Sequence, residues 1–153
     1  MKFMNSLCAS VAICMALTTA PAHADMAHSA IDEINQIRKK NGRKPLAVNP
    51  DLTKAAQKHA DELAKRGYGT RMTSGGHFGK NGSTHLQRIK RAGYKACLAV
   101  ENVAWGQKNA TALMAEWMRS KGHRDNLTHR KIRDIGLGFA APKTWVMVGA
   151  KPC

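Results

Sequence analysis

The sequence predicts a layered domain of the α+β class, with about four helices and a small antiparallel sheet. The length of 153 residues is typical of one domain. Apolar residues recur at the spacing of amphipathic helices through much of the chain, and short apolar runs bounded by turn residues indicate about three strands. Because the chain contains no internal repeat and no linker, we expect these elements to pack into a single domain.

The first 24 residues have the features of a secretory signal peptide. Lys2 provides a positive charge, the apolar run Leu7–Leu17 is too short to cross a bilayer, and Ala22-His23-Ala24 is a small-residue cleavage site. We therefore predict cleavage between Ala24 and Asp25, which leaves residues 25–153 as a secreted or periplasmic domain without a transmembrane segment. The alternative is a buried N-terminal helix.

Two of the four cysteines lie in the predicted mature domain. Cys8 and Cys14 belong to the signal peptide, so Cys97 and Cys153 remain in a chain that is exported to an oxidising compartment. Disulfides form in such compartments, and we expect one between these two residues. A catalytic thiol is the alternative, but no pairing of a cysteine with a histidine is evident in the sequence.

Two amphipathic helices are predicted in the first part of the mature domain. The first ends at Asn41-Gly42, and an extended connector at Pro45–Val48 leads to the second, which Asn49 caps and Gly67 ends. His59 lies on the apolar stripe of the second helix, so we expect a hydrogen-bonded core histidine there rather than a ligand. The apolar stripe of the first helix consists of Ala27, Ala30, Ile31, Ile34 and Ile37.

A glycine-rich segment separates these helices from a third one. Residues 67–83 include six glycines and show no apolar period, which is typical of a long surface loop that is functional or mobile. Ser83 is expected to cap the third helix, which turns Leu86 and Ile89 inward and ends at Gly93.

Strands and a fourth helix are predicted in the remaining chain. The apolar run Cys97–Trp105, interrupted by Glu101-Asn102, indicates a strand that enters a loop. Asn109 caps a fourth helix that Gly122 ends, and residues 123–127 add one helical turn. The last two strands are predicted at Ile135–Ala140 and Trp145–Val148, with a tight connection between them and with Gly149 closing the second.

The chain is strongly basic. It has 25 lysines and arginines against 10 aspartates and glutamates, which gives a formal net charge of +15, and no acidic residue lies between Leu63 and Val100. Such a field favours an anionic partner, and export makes an anionic envelope polymer or lipid a better candidate than nucleic acid. The alternative is a solvated basic surface without a dedicated partner. The predicted ligand-binding residues are Arg88, Lys90, Arg91 and Arg124.

Motifs in a fixed order run along the predicted mature domain. The most specific are Glu101-Asn102 with Ala104 and Gly106, and Gly122-His123-Arg124 with Asn126. The others are His77, Gly82-Ser83, Arg88, Gly93-Tyr94, Trp117, Ser120, Gly136-Leu137-Gly138 and Trp145. Together they resemble the bacterial members of the superfamily of cysteine-rich secretory, antigen 5 and pathogenesis-related proteins, known as the SCP or CAP domain. The resemblance implies a three-layer α-β-α sandwich.

The resemblance also implies a central cleft that contains histidines and glutamates. Carried over by motif, His77 and His123 are the two histidines and Glu101 is the first glutamate. Ser120 occupies the place of the second glutamate, and Glu116 is expected on another side of its helix. The residues alone imply no cofactor. Two imidazoles and a carboxylate nevertheless suit zinc or another divalent metal, with one coordination position left open for water. The same three groups also suit general acid–base catalysis.

Three functions remain open on the sequence. We favour a binding module of the cell envelope or the extracellular space that holds an anionic or lipid-like ligand. The second is a non-catalytic interaction protein of the envelope. The third is a metal-dependent hydrolase or peptidase that uses His77, Glu101 and His123. Neither a Gly-x-Ser-x-Gly nor a His-Glu-x-x-His motif is present, so the sequence indicates neither the serine nucleophile of common hydrolases nor the zinc-binding helix of common metalloproteases.

Overall fold

Five helices and four strands lie along the chain in a computed structural model that describes residues 20–72 and 75–153. The helices are α1 (Ala20–Lys40), α2 (Pro50–Arg66), α3 (His85–Ala92), α4 (Ala110–Arg119) and α5 (Lys121–Leu127). The strands are β1 (Ala47–Val48), β2 (Ala96–Trp105), β3 (Asp134–Ala140) and β4 (Thr144–Pro152). The α+β class is therefore confirmed, with one helix and one strand more than the sequence predicted.

One four-stranded sheet connects these elements, in the order β1-β3-β4-β2. The pairs β3–β4 and β4–β2 are antiparallel, whereas β1 runs parallel to β3. The sheet is thus mixed rather than antiparallel throughout. The difference arises because part of the predicted connector at 45–48 pairs with β3: Ala47 lies opposite Asp134, and Val48 lies opposite Ile135.

Helices cover both faces of the sheet. Side chains alternate between the faces of a strand, so each face contributes its own apolar set. On one face α2 and α3 pack against β2 and β4, and on the other α1 and α4 pack against β3 and β4. The first core includes Leu52, Leu63, Ile89, Val103, Val146 and Val148; the second includes Ile34, Leu113, Trp117, Ile135, Leu137 and Met147. The result is the three-layer α-β-α sandwich that the resemblance implied.

Local capping residues set the limits of α2 and α3. The Asn49 side chain accepts hydrogen bonds at the start of α2, and Gly67 ends this helix with a φ of 75°. Thr84, rather than the expected Ser83, caps α3. Its side chain accepts a hydrogen bond from the Gln87 backbone while the Gln87 side chain accepts one from the Thr84 backbone, which forms a capping box.

Two glycines that were predicted to end elements lie inside them instead. Gly122 falls within α5, because α4 already ends at Arg119. Strand β4 continues past Gly149 to Pro152, because β3 pairs with it as far as Ala150 and β2 as far as Pro152. In the same way, β2 runs without a break through Glu101-Asn102, whose residues stay in register with β4.

The C-terminal end of the chain is held at the start of β2. Cys97 and Cys153 form a disulfide, and the Cys153 backbone N–H also donates to the Lys95 carbonyl at 3.1 Å, so the C-terminal residue is fixed to the start of β2. The predicted signal peptide lies largely outside the described residues, and its predicted cleavage point falls within α1. Within residues 20–72 and 75–153, no helix combines the length and apolar character needed to cross a membrane.

Helix α2 lies directly on the backbone of β3. A Cβ atom added at Gly136 would lie 2.1 Å from the Leu52 carbonyl carbon, and one added at Gly138 would lie 2.5 Å from the Gln57 Cα. Because both neighbours are backbone atoms, a side chain at either position would require a shift of the helix. The absence of side chains at Gly136 and Gly138 therefore sets the spacing between α2 and the sheet.

Replacing Gly136 with alanine is expected to destabilise the protein, because the new methyl group would overlap the α2 backbone. Overpacking of this kind costs about 3 kcal/mol of unfolding free energy. The matched control is Gly122→Ala, which adds the same methyl group where no heavy atom lies within 4 Å. In the control, alanine is expected to leave stability unchanged or raise it by about 0.5 kcal/mol. Urea unfolding followed by tryptophan fluorescence measures both, and equal stability of the two variants would contradict this account of the packing.

Candidate functional site

Glu101 is a buried carboxylate in the middle of β2. Only 5% of the residue is exposed. Its Oε2 atom lies 2.6 Å from an Arg88 Nη2 atom, and its Oε1 atom lies 3.1 Å from His77 Nδ1. Val103, two residues further along β2, belongs to the core under α2 and α3. Strand alternation therefore places the Glu101 side chain on the same face of the sheet, beneath α3 and the glycine-rich loop.

The Arg88 side chain connects α3, the loop and the carboxylate. Besides Glu101, its guanidinium donates to the Ser83 carbonyl at 2.5 Å and to the His77 carbonyl at 3.2 and 3.3 Å. An arginine can hold several acceptors in this way because its five N–H groups form a rigid planar fork. Arg88 thus holds the loop residue His77 close to the carboxylate that the histidine contacts.

The surroundings keep Glu101 ionised. Burial alone would raise the pKa of this carboxyl group, but the hydrogen bond from His77 and the charge and hydrogen bond of Arg88 outweigh burial, so the pKa lies below its ordinary value of 4.5.

Two asparagines position α5 against β2. Asn102 Nδ2 donates to the His123 carbonyl at 3.0 Å, and Asn126 Nδ2 donates to Asn102 Oδ1 at 2.8 Å and to the Glu101 carbonyl at 3.1 Å. The sequence reasoning gave neither asparagine a role, although both stand within the motifs that carried the resemblance.

His123 lies at the start of α5 beside Trp117, with 6.2 Å between the ring centroids. Its Nδ1 atom is buried and has no hydrogen-bond partner in the described part of the chain. Burial lowers the pKa of this histidine first, and the nearby His77 lowers it further, while Glu116 raises it. Although the sequence places Glu116 on another side of α4, its charge therefore still acts on His123. Its carboxylate accepts a hydrogen bond from Gln107 Nε2.

The structure pairs two of the three predicted metal ligands, His77 and Glu101. Among residues 20–72 and 75–153, no three histidine, cysteine, aspartate or glutamate side chains are grouped so that they could hold a metal ion. Arg88 and His77 already engage both Glu101 oxygens. Ser120, in the place of the second glutamate, links α4 to α5 and makes no side-chain capping bond.

Two cavities flank the Arg88–Glu101 pair. The smaller, of about 370 Å³, lies at the pairing of His77 with Glu101 and is also lined by Phe78, His85 and Asn126. The larger, of about 540 Å³, lies between α2 and α3 and is called the α2–α3 pocket below. Its lining residues are Ala55, Lys58, His59, Glu62, Lys80, Asn81, Ser83, Arg88, Arg91 and Ala92. Arg88 lines this pocket and also holds Glu101.

His59 lines the α2–α3 pocket and is 1% exposed. Its Nε2 atom lies 2.7 Å from the Gly76 carbonyl, so the prediction of a hydrogen-bonded core histidine is confirmed. Burial lowers its pKa first, followed by the charge of Arg88, so the ring is neutral at pH 7. Because Nε2 must carry the proton that it donates to Gly76, Nδ1 is an acceptor, and it has no partner in the described part of the chain.

The predicted ligand-binding residues do not share one site. Arg88 and Arg91 line the α2–α3 pocket. Lys90 is exposed on α3 without lining it, and Arg124 lies on α5, where its guanidinium donates to the Met118 carbonyl at 2.8 Å. Sequence reasoning missed Lys58 and Glu62. Residues four apart lie on the same face of a helix, so the spacing of Lys58 and Glu62, next to His59, was the available signal that the apolar stripe of α2 ends in a polar patch.

The fold and this arrangement define a CAP domain. A model of the Cysteine-rich secretory protein family, CAP, matches residues 31–147 of the chain. The protein therefore belongs to this family.

Bacterial proteins of the cell exterior are among its relatives. The uncharacterized protein YkwD of Bacillus subtilis (strain 168) is 28% identical over 123 residues, which cover 80% of this chain and 46% of YkwD. A solved structure of an extracellular protein containing a SCP domain from Bacillus anthracis str. Ames superposes with a TM-score of 0.78 at 22% identity, over 89% of this chain and 44% of that one. An outer surface protein from Borrelia burgdorferi has a TM-score of 0.69 at 24% identity, over 80% and 90% of the two chains. The chain spans less than half the length of the two Bacillus proteins, and the structural likenesses show the fold.

Glu101→Gln is expected to destabilise the protein strongly at pH 7. The substitution keeps the shape of the side chain but leaves the nearly buried Arg88 guanidinium without its counter-charge, which costs about 3 kcal/mol of unfolding free energy. Asp125→Asn is the control, because it removes an exposed carboxylate paired with Lys121 and should have no measurable effect. Urea unfolding of both variants beside the parent protein measures the difference.

The effect of Glu101→Gln should also depend on pH. A carboxyl group whose pKa is lowered by folding adds stability above its ordinary pKa of 4.5, and that contribution is lost as the pH falls through the lower pKa of the folded protein. The stability difference between parent and variant should therefore narrow below pH 4.5. A difference that stays constant down to pH 3 would contradict the ionised Glu101 described here.

Proposed function

We propose that the protein is an exported, non-enzymatic CAP-domain module that binds an anionic ligand in the α2–α3 pocket. The observation that carries the proposal is the charge of the pocket wall. Four cationic side chains line it, against the single carboxylate of Glu62; the four are Lys58, Lys80, Arg88 and Arg91.

Most of this positive charge is not neutralised by the protein. Arg88 is paired with Glu101, but Lys58, Lys80 and Arg91 have no ion pair within the described residues. The Glu62 carboxylate is shared, since it pairs with Arg66 at 3.3 Å and accepts a hydrogen bond from the Lys80 backbone. A ligand that enters the pocket therefore meets cations whose charges favour an anion.

The rest of the wall suits a ligand with an apolar part. Ala55 and Ala92 contribute methyl groups from α2 and α3, and the aliphatic stems of the lysines and arginines add apolar surface beneath their charged ends. A cavity of about 540 Å³ is large enough for a small organic molecule. An anionic group attached to a compact apolar body fits both features, and this is the lipid-like chemistry that the sequence suggested.

Export is the second part of the proposal. The first 24 residues have the pattern of a signal peptide, and two relatives are described as extracellular or outer-surface proteins. Such a module acts in the cell envelope or outside the cell, where anionic polymers and lipids are the available partners.

A hydrolase is the second candidate, and one observation favours it. The buried Glu101 orients His77, whose side chain is 54% exposed, so an imidazole stands beside the smaller cavity with a carboxylate behind it. A histidine held in this way can transfer protons. Against this candidate, both oxygens of Glu101 are engaged, one by Arg88 and one by His77.

The binding proposal can be tested with 1-anilinonaphthalene-8-sulfonate, a fluorescent aromatic sulfonate. Lys58→Gln/Arg91→Gln removes two unpaired cations of the pocket and is expected to weaken binding of the dye about fivefold, since each exposed charge contributes on the order of 0.5 kcal/mol and their fields add within the cavity. The matched control is Lys54→Gln/Lys90→Gln, which removes two exposed cations from the same two helices outside the pocket.

Comparison of the two variants distinguishes binding of the dye in the α2–α3 pocket from attraction by the overall positive charge of the surface. The proposal expects the control to change the affinity of the dye less than twofold, and it expects salt to weaken binding to the parent protein. Equal loss of affinity in both double variants, or no loss in either, would refute the α2–α3 pocket as the site. Proton transfer by His77 predicts instead that turnover of an ester or peptide substrate is lost in His77→Ala while binding of the dye is kept.

A further inference from the structure

A second cationic cavity lies on the other side of the sheet. It is formed by the turn after α1 and by the segment between α5 and β3, and its volume is about 360 Å³. It is called the arginine pocket here, and its lining residues are Gly42, Arg43, Lys44, Arg130 and Arg133. Four of these five residues are cations, and none is acidic. The elements that form it pack on the α1 face, whereas the α2–α3 pocket lies on the opposite face.

A fifth cation is buried behind this cavity. Arg38, which is 1% exposed, donates to the carbonyls of Lys44 at 2.9 Å, Leu127 at 2.7 Å and His129 at 3.2 Å. All three acceptors are neutral. Burial lowers the pKa of Arg38 first, and the charges of Arg43 and Arg133 lower it further. The guanidinium groups are therefore close enough to repel one another, and among residues 20–72 and 75–153 none of the three forms an ion pair that would relieve the repulsion.

Acidic side chains near the pocket in sequence are used elsewhere. Asp134 follows Arg133 directly, but strand alternation turns it to the α2 face, where it accepts a hydrogen bond from the Tyr94 hydroxyl at 2.5 Å. In the part of the chain that the structure describes, no ion pair includes Arg43, Lys44, Arg130 or Arg133.

Backbone carbonyls hold two of the arginines in place. Arg43 donates through Nε to the Thr128 carbonyl at 2.9 Å, and one Nη atom of Arg133 donates to the carbonyls of Arg130 at 2.8 Å and Ile132 at 2.9 Å. Each guanidinium is fixed along one edge, while its other nitrogen atoms have no partner among the described residues. Arginine forks that are held in this way are suited to binding two oxygens of one anion.

We propose that the arginine pocket binds a phosphoryl group, as free phosphate or as a phosphate on a larger molecule such as a lipid headgroup. A tetrahedral oxyanion offers several acceptor oxygens to several forks at once and can carry two negative charges, which suits a site of four lining cations with a buried fifth. Binding would remove the mutual repulsion of Arg38, Arg43 and Arg133. This site is independent of the α2–α3 pocket and of the function proposed for it.

The test uses a variant that changes charge without removing a packing contact. Lys44 and Arg130 are exposed, and their side chains make no hydrogen bond in the described structure, so Lys44→Gln/Arg130→Gln should fold normally. The control is Lys131→Gln/Lys151→Gln, which removes the same charge from exposed positions outside the pocket, one of them next to Arg130. Circular dichroism checks that both variants are folded.

Calorimetric titration with inorganic phosphate at low ionic strength forms the first arm of the test. Sedimentation with phosphatidylcholine vesicles that contain phosphatidylglycerol forms the second. We expect the pocket variant to weaken binding about tenfold in at least one arm, and the control to weaken it less than twofold, since two charge-assisted contacts contribute on the order of 1.4 kcal/mol.

The two arms distinguish the sources of the phosphoryl group. Loss confined to phosphate titration identifies a site for the free ion, and loss confined to the vesicles identifies a headgroup site. Equal weakening by the pocket variant and the control would mean that only the general positive field attracts anions, and this would overturn the proposal. Binding that depends on neither pair of residues, or no binding in either arm, would overturn it as well.

Discussion

The ionised carboxylate of Glu101 inside β2 is the constraint on which the arrangement of α3 and the glycine-rich loop depends. An unpaired charge in a protein interior is strongly unfavourable, so a buried carboxylate requires a cation and hydrogen-bond donors in fixed positions. Arg88 provides the cation from α3, and His77 provides a donor from the loop. Because Arg88 also binds the carbonyls of His77 and Ser83, the same interaction that satisfies the carboxylate orders the start of α3 and the chain that precedes it.

Sequence patterns predicted those helices whose limits are set by residues next to them in the chain. Helix α2 begins at the capping Asn49 and ends at Gly67 as expected, because both devices act within one helical turn. Strand β1 was not predicted, because two residues carry no periodicity and become a strand only by pairing with β3. Gly149 was misread as a terminator for a similar reason. A Cβ atom there would lie 2.8 Å from Ile132 Cδ1, so glycine serves packing between elements rather than a turn.

The sequence predicted which residues belong to the candidate site better than it predicted the contacts between them. The motifs identified His77 and Glu101, which the structure pairs. They also identified His123, which lies close enough to His77 that the charge of His77 lowers its pKa. Arg88 was expected to bind ligand, but its hold on Glu101 depends on how α3 crosses β2, which no local pattern encodes. The charge excess likewise predicted an anionic partner without locating it. Part of that charge lines two cavities on opposite faces, one whose wall also includes the methyl groups of Ala55 and Ala92 and one that is lined by four cations and a glycine.

If the α2–α3 pocket binds an anion as proposed above, Arg88 would make its occupancy and the protonation of Glu101 mutually dependent. The same guanidinium lines the pocket and holds Glu101 Oε2 at 2.6 Å, so an anion in the pocket competes with the carboxylate for it. An occupied pocket would raise the proton affinity of Glu101, and by thermodynamic reciprocity a protonated Glu101 would strengthen the hold of the pocket on its anion. A module built in this way would retain its ligand better at a pH near or below 4.5 than in a neutral environment, and it would need no moving part to do so.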